Sequence, residues 1–266
     1  MSPETLGIDE LVDYAPAECQ VGEFQLYWQM TRAERFCLIH LLQALKPAVS
    51  VEVGTHKGGS LQVLSQYSEA VYSIDIDPLV AHDLQGLFPN VTYKCGDSST
   101  VLPQVIAEIN ESTQKLGLVL IDGDHSERGV KRDIESALAL VPRNPVCIVV
   151  HDSFHPPCRR GIRSADWAAC KYVHYVEVDF VGGIFLPGRS QAEHSMYGGF
   201  ALALLLPEER KSSVRILESQ PQHFDIVSRF AQSSEFAAYT GRQSLGARLK
   251  SAVSRLRGSR HPNSKG

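Results

Sequence analysis

At 266 residues, with 43% apolar and 21% charged side chains and a formal net charge of −4, the chain has ordinary globular proportions. It is long enough to bury one large core, and its composition excludes long disordered spans. The amino terminus, MSPETLGIDELVDY, is acidic and polar where a secretory leader needs basic then apolar residues, and no stretch approaches an uninterrupted membrane span. The six cysteines (Cys19, Cys37, Cys95, Cys147, Cys158, Cys170) lack paired spacing, so a reducing, cytoplasmic setting is expected.

Residues 1–30 carry little periodicity; Tyr27 and Trp28 either cover the mouth of a site or pack. Thr31, with Glu34 three residues on, predicts a capping box, and Leu38, Leu41, Leu42 and Leu45 give a helical stripe that Pro47 stops. Val49–Ser60, VSVEVGTHKGGS, then reads as strand, glycine turn, helix. Glycines let a ligand approach the backbone closely, and the helix start beyond them offers unpaired N–H groups. The Gly54-x-x-x-Gly58 spacing is not that of a dinucleotide fold, and the acid within the strand, Glu52, suits a ligand carrying positive charge better than a pyrophosphate.

A second strand, in Val71–Pro78, carries Asp75 at its end, 23 residues after Glu52, where an acid can bind ribose hydroxyls. Capping of the next helix by Asp75 and Asp77 fits the same residues. Val91–Cys95 is a third strand, followed by Asp97 and Ser98 and a helix through Val101, Val105, Ile106 and Ile109. A fourth, Leu116–Ile121, runs into Asp122-Gly123-Asp124-His125, with a helix from Ser126 that presents Val130, Ile134, Ala137, Leu138 and Val141 on one face. The fifth, Val146–Val150, is apolar throughout and ends in His151-Asp152. A helix around Ile162–Cys170, a strand over Tyr172–Phe180, a glycine-rich excursion (Val181–Gly199) and a last strand, Ala201–Leu206, complete the core.

Five alternations of strand and helix mean a parallel sheet with right-handed crossovers. Glu52, Asp75, Asp97, Asp122 and Asp152 then lie at or just past the ends of five different strands, along the edge where open α/β sheets bind ligands. Capping alone does not explain five acids in register.

With VEVGTHKGGS, IDGDHSERGVKRDIE and VVHDS in this order, the chain resembles class I S-adenosylmethionine-dependent methyltransferases. More narrowly it resembles the metal-assisted O-methyltransferases related to catechol O-methyltransferase, the macrolide-sugar methyltransferases and the cephalosporin-hydroxylase-like group. The resemblance runs from about Thr31 to Leu206. It implies a Rossmann-like three-layer α/β sandwich whose seven-stranded, mostly parallel sheet has an antiparallel last strand. It further implies an N-terminal extension (1–30), a methyltransferase domain (31–206) and a C-terminal helical extension with a basic tail (207–266). In the cofactor site it implies, Glu52, Gly54 and Gly58 flank the methionine moiety, Asp75 holds the ribose, and Asp97 with Ser98 faces the adenine; Asp122 borders the same site. The cationic sulfonium and ammonium of S-adenosylmethionine suit an acid-lined cradle.

The metal-assisted members take one ligand after strand four and two after strand five, positions held here by Asp122 and by His151-Asp152. A histidine there departs from the commoner acid or Asp-Asn patterns; it tolerates Mg²⁺ but favours Mn²⁺ or Fe²⁺. His155 and Cys158 could extend such a cluster, but Pro156-Pro157 is expected to break helical presentation and leave them in a loop. The resemblance implies a catalytic base at His125, three residues after Asp122, where the catechol-type enzymes use lysine; a histidine that caps the following helix or bonds a neighbouring carboxylate would look the same.

The expected activity is methyl transfer to a hydroxyl of a saccharide or natural product, with a small-molecule or glycan acceptor as partner, no nucleic acid, and a homo-oligomer left open. A dinucleotide-dependent oxidoreductase and a non-catalytic binding protein of the same fold are the alternatives. The tail, residues 241–266, holds seven Lys/Arg and no acid, with Leu245, Leu249, Val253 and Leu256 on one helical face. It suits either peripheral contact with anionic lipid or docking on an acidic protein surface.

Overall fold

Short apolar strands alternating with amphipathic helices build a single eight-stranded sheet in a computed structural model that describes residues 26–185 and 196–233. The first five units are α1 (Arg32–Leu45), β1 (Val49–Val53), α2 (Gly59–Tyr67), β2 (Ala70–Asp75), α3 (Pro78–Leu84), β3 (Val91–Cys95), α4 (Ser98–Glu111), β4 (Leu116–Ile121), α5 (Glu127–Ala137) and β5 (Val146–His151). Then follow α6 (Pro156–Ser164), β6 (Val173–Val181), the hairpin of β7 (Ile184–Phe185) and β8 (Met196–Tyr197), β9 (Phe200–Leu205), β10 (Arg215–Leu217) and α7 (Pro221–Ala231). The sheet order is β10-β6-β9-β5-β4-β1-β2-β3, and all neighbours are parallel except β9, which runs antiparallel to both β5 and β6.

Strand alternation sets the layers. Val49, Val51 and Val53 of β1 pack with Ile106 of α4, Ile134 of α5 and Ile162 of α6 on one face. Leu118, Leu120 and Val149 pack with Leu38, Leu61 and Leu84 of the first three helices on the other. Burial of apolar strands on both faces is what an interior parallel sheet requires. The Thr31 capping box is formed, and Lys46 ends α1 in the left-handed region before Pro47. Asp77, Asp97 and Ser126 cap α3, α4 and α5.

The structure ends the helix expected around Ile162–Cys170 at Ser164, and it corrects the sequence reading in three further places. The main sheet has eight strands rather than seven, because β10 pairs parallel to β6 beyond the antiparallel strand, and β7 and β8 pair in a separate two-stranded sheet. Three residues on an edge are too few for a period-2 pattern to register. Second, α5 ends at Ala137, with Leu138 as its C-cap and Val141 51% exposed. Third, Pro156 and Pro157 open α6 rather than break it, because the first helical positions need no N–H donor. His155 is the residue preceding that helix and Cys158 lies in its first turn.

A buried ion-pair network attaches β10 and α7. Arg159 of α6 donates to Asp179 (2.6 Å) and Glu218 (3.0 Å) and stacks over Phe224, while Asp179 and Glu177 accept the N–H groups of Gln220 and Ser219 (3.0 Å each). Asp179 is 1% exposed. Arg159→Ala strands that carboxylate without a cation, so unfolding in urea is expected to show a loss of about 3–5 kcal/mol. A loss under about 1 kcal/mol would mean that the network is an incidental surface pairing.

No helix among the described residues is long and apolar enough to cross a membrane. The basic tail lies outside the described residues.

Candidate active site

Because β1 to β5 are parallel, their carboxyl ends share one edge, and antiparallel β9 begins there. Gly54 leaves β1 at φ +87°, its N–H bonded to Ile74 and the preceding carbonyl, of Val53, accepting from Asp122. A Cβ at Gly54 would sit 2.1 Å from the Asp122 carbonyl oxygen, so only glycine lets the ends of β1 and β4 close together. Gly58, at φ +76°, precedes α2.

Glu52 lies beneath this turn. It is wholly buried, and its two carboxylate oxygens accept from Ser60 (2.5 Å) and Thr55 (2.8 Å). Burial pushes it up to about 7, against those hydroxyl bonds, and the charges of Asp122 and Asp75 push the same way. Asp75 clamps the turn from β2: its Oδ2 accepts from the N–H of Thr55 (2.9 Å) and His56 (2.8 Å), and its Oδ1 from Asp77 (2.9 Å). Ile76, next in sequence, is 70% exposed. At the end of β3, Asp97 caps α4 and faces Arg132 (3.5 Å), and the Ser98 hydroxyl donates to buried Asp133 (2.8 Å).

Around the ends of β4 and β5 a denser cluster forms. His151 Nδ1 lies 2.7 Å from Asp122 Oδ1 and 3.9 Å from Asp152 Oδ1. His125 Nε2 lies 3.4 Å from Asp122 Oδ1 and 3.5 Å from Asp152 Oδ2. Asp152 adopts φ +58°, a left-handed conformation that aspartate tolerates better than most residues, and accepts from the Gly198 N–H at 2.5 Å. Asp122, His151 and Asp152 each offer a ligand atom within 4.8 Å of the others; among the described residues this is the group able to converge on one ion. His155 and Cys158 stay outside it. Their side chains pair (Nδ1 to Sγ, 3.3 Å), and the Cys158 thiol, pushed up by burial, donates to the His125 carbonyl (3.4 Å).

Charge is shared across the cluster. For Asp122, burial opposes ionisation, but His151 and His125 more than offset it and hold the carboxyl down at about 2. The stability this carries is present above the ordinary value of 3.8 and is lost as pH falls toward 2. His151 is raised well above the usual imidazole value: burial lowers it, but Asp122, Glu34 and Asp152 outweigh burial. For His125 the Asp122 hydrogen bond and the Asp152 charge outweigh burial in the same direction.

Sequence reasoning missed Glu34 as a member of this site. Its Oε1 lies 3.5 Å from His151 Nε2 and accepts from the Gly199 N–H, 165 residues away in sequence. The capping-box spacing was the one sequence signal at this position, and it carries no information about that long-range contact.

Residues 51–153, which contain all of this edge from β1 to the loop after β5, match the family model described as a methyltransferase domain. In structure, the chain is similar to the O-methyltransferase TomG from Streptomyces achromogenes, involved in tomaymycin synthesis and solved with S-adenosylmethionine. The TM-score is 0.50 at 18% identity, over 77% of this chain and 93% of that one. An O-methyltransferase from Bacillus cereus, solved with S-adenosylhomocysteine, gives 0.49 at 18% identity over the same shares. No curated protein matches in sequence. The family match thus falls on the strand-and-helix units β1 to β5 and the loop that follows them, in a Rossmann-like α/β fold.

Proposed function

We propose that the chain transfers a methyl group from S-adenosylmethionine to a hydroxyl of a small molecule, a saccharide or natural product, with a divalent metal ion at Asp122, His151 and Asp152. The observation that carries this reading is the convergence of two imidazoles and two carboxylates, Asp122, His125, His151 and Asp152, beside the Gly54 turn. Such a constellation suits proton removal from a hydroxyl better than hydride transfer, and the glycine spacing does not suit a dinucleotide.

S-adenosylmethionine supplies an electrophilic methyl group on a sulfonium. In this reading the turn Gly54–Gly58 and Glu52 flank its methionine part, Asp75 accepts from the ribose hydroxyls, and Ile76 offers exposed apolar surface to the adenine, with Asp97 and Ser98 beyond it. Asp75 Oδ1 has accepted one bond only, from Asp77, so acceptor capacity remains for a ribose hydroxyl.

The donor set of one nitrogen and two carboxylates fits a divalent ion such as Mn²⁺ or Fe²⁺ and tolerates Mg²⁺. An ion held there supplies the positive charge that lowers the pKa of an acceptor hydroxyl. His151 must release its proton to serve as a ligand, which ties metal affinity to pH. His125 Nε2, facing the same two carboxylates, is placed to take the hydroxyl proton, and holding oxygen and methyl in contact provides much of the remaining barrier reduction.

Asp75→Ala is expected to weaken S-adenosylmethionine binding by about 1.5–3 kcal/mol, the worth of a charge-assisted bond. The variant also frees the Thr55 and His56 N–H groups of the turn. Calorimetry on the folded variant tests this, and unchanged affinity removes Asp75 from the cofactor site.

A further inference from the structure

Glu34 is wholly buried at the third position of α1. A capping box forms at an exposed helix end and needs no burial, whereas taking a carboxyl side chain out of water is costly. Capping alone therefore does not account for a carboxyl side chain wholly in the interior. Its remaining contacts explain it better. Oε2 accepts from the Thr31 N–H, and Oε1 accepts from the Gly199 N–H and faces His151 Nε2 at 3.5 Å.

The surroundings are built to keep this arrangement. The N–H groups of Gly198 and Gly199 hold Asp152 and Glu34 in turn. A Cβ at Gly198, which sits at φ +71°, would lie 2.6 Å from Glu34 Oε1. Phe200 packs edge-on against the His151 ring, with centroids 5.6 Å apart. Nδ1 is the nitrogen nearer Asp122 and Asp152, so an ion held there would leave the remaining ring hydrogen of His151 on Nε2, toward Glu34. The lone pair is then on Nδ1, the nitrogen that faces Asp122 at 2.7 Å.

We propose that Glu34 is a positioning residue for the metal site: it fixes His151 with Nδ1 turned toward Asp122 and Asp152, and thereby makes the site select ions that accept nitrogen over Mg²⁺. This rests on the metal reading above. Carboxylate partners behind a ligating histidine act in this way in many metal sites, and their loss costs about 10–100-fold in affinity.

The test is calorimetric titration of the full chain with Co²⁺ and, separately, Mg²⁺, in the wild type, Glu34→Gln and Thr31→Ala. Glu34→Gln is expected to lower Co²⁺ affinity by about 10–100-fold and leave Mg²⁺ affinity nearly unchanged, since the two carboxylates remain. Thr31→Ala, which removes the hydroxyl of the same cap and keeps Glu34, is expected to change neither. An equal loss for both ions in Glu34→Gln, or no loss for either, overturns the proposal. So does nitrogen NMR of the Zn²⁺-loaded wild type if it shows His151 ligating through Nε2, a result that does not depend on the variant folding. A wild type that binds neither ion, with Asp122→Asn behaving identically, overturns the metal reading itself.

Discussion

Asp122→Asn is expected to lower methyl transfer by about 10²–10⁴-fold, because a bound ion contributes several kcal/mol to a developing negative oxygen and each 1.4 kcal/mol is a factor of ten. The carboxylate sits where three functions meet: it is 2.7 Å from His151 Nδ1, 3.4 Å from His125 Nε2, and part of the group able to hold an ion. Asparagine keeps an oxygen that accepts from His151, and it removes one negative charge from a site that also holds Asp152 and Glu34. The fold is therefore expected to survive. Steady-state rates with a saturating acceptor, alongside thermal unfolding of the same preparation, separate the two effects. A folded Asp122→Asn enzyme turning over at the wild-type rate would remove the ion from the chemistry.

His125→Ala is expected to reduce kcat by about 10²–10⁴-fold, the usual share of a general base, with little change in affinity for S-adenosylmethionine. Its ring is partly exposed, at the outer side of the cluster, and its main-chain carbonyl is held by Cys158, so the loop that presents it is anchored separately from its chemistry. The hydrogen bond to Asp122 and the charge of Asp152 raise its pKa, which favours the imidazolium at low pH. Rate should climb with pH as that proton is lost, and the climbing limb should vanish in the variant. A variant that keeps both the rate and the limb would return His125 to a structural role.

Much of the scaffold was legible because its signals are local. The Thr31 box, Pro47, the Asp77-Pro78 cap and the apolar runs of β1, β4 and β5 each depend on neighbours in sequence, and each appears where its residues predict. The strand-end placement of Asp75, Asp122 and Asp152 followed from topology, since parallel strands put all their carboxyl ends on one edge.

What remained hidden depends on contacts between distant segments. Glu34 shows only as the end of a capping box until Gly199, just before β9, arrives beside it. Similarly, β10 is three residues long and pairs with β6, while the carboxylates of Glu177 and Asp179 hold the backbone of residues 219 and 220 just after it. Pro156-Pro157 misled for a different reason: the same ring that disrupts a helix interior is favourable in its first turn, and sequence alone did not place the turn.

The most direct test of the account is transfer of a labelled methyl group from S-adenosylmethionine to a panel of sugar and natural-product hydroxyl acceptors, run with and without excess chelator. The account predicts labelled product with at least one acceptor, loss of that product in chelator, and its return when Mn²⁺ is restored. Undiminished product in excess chelator would contradict it.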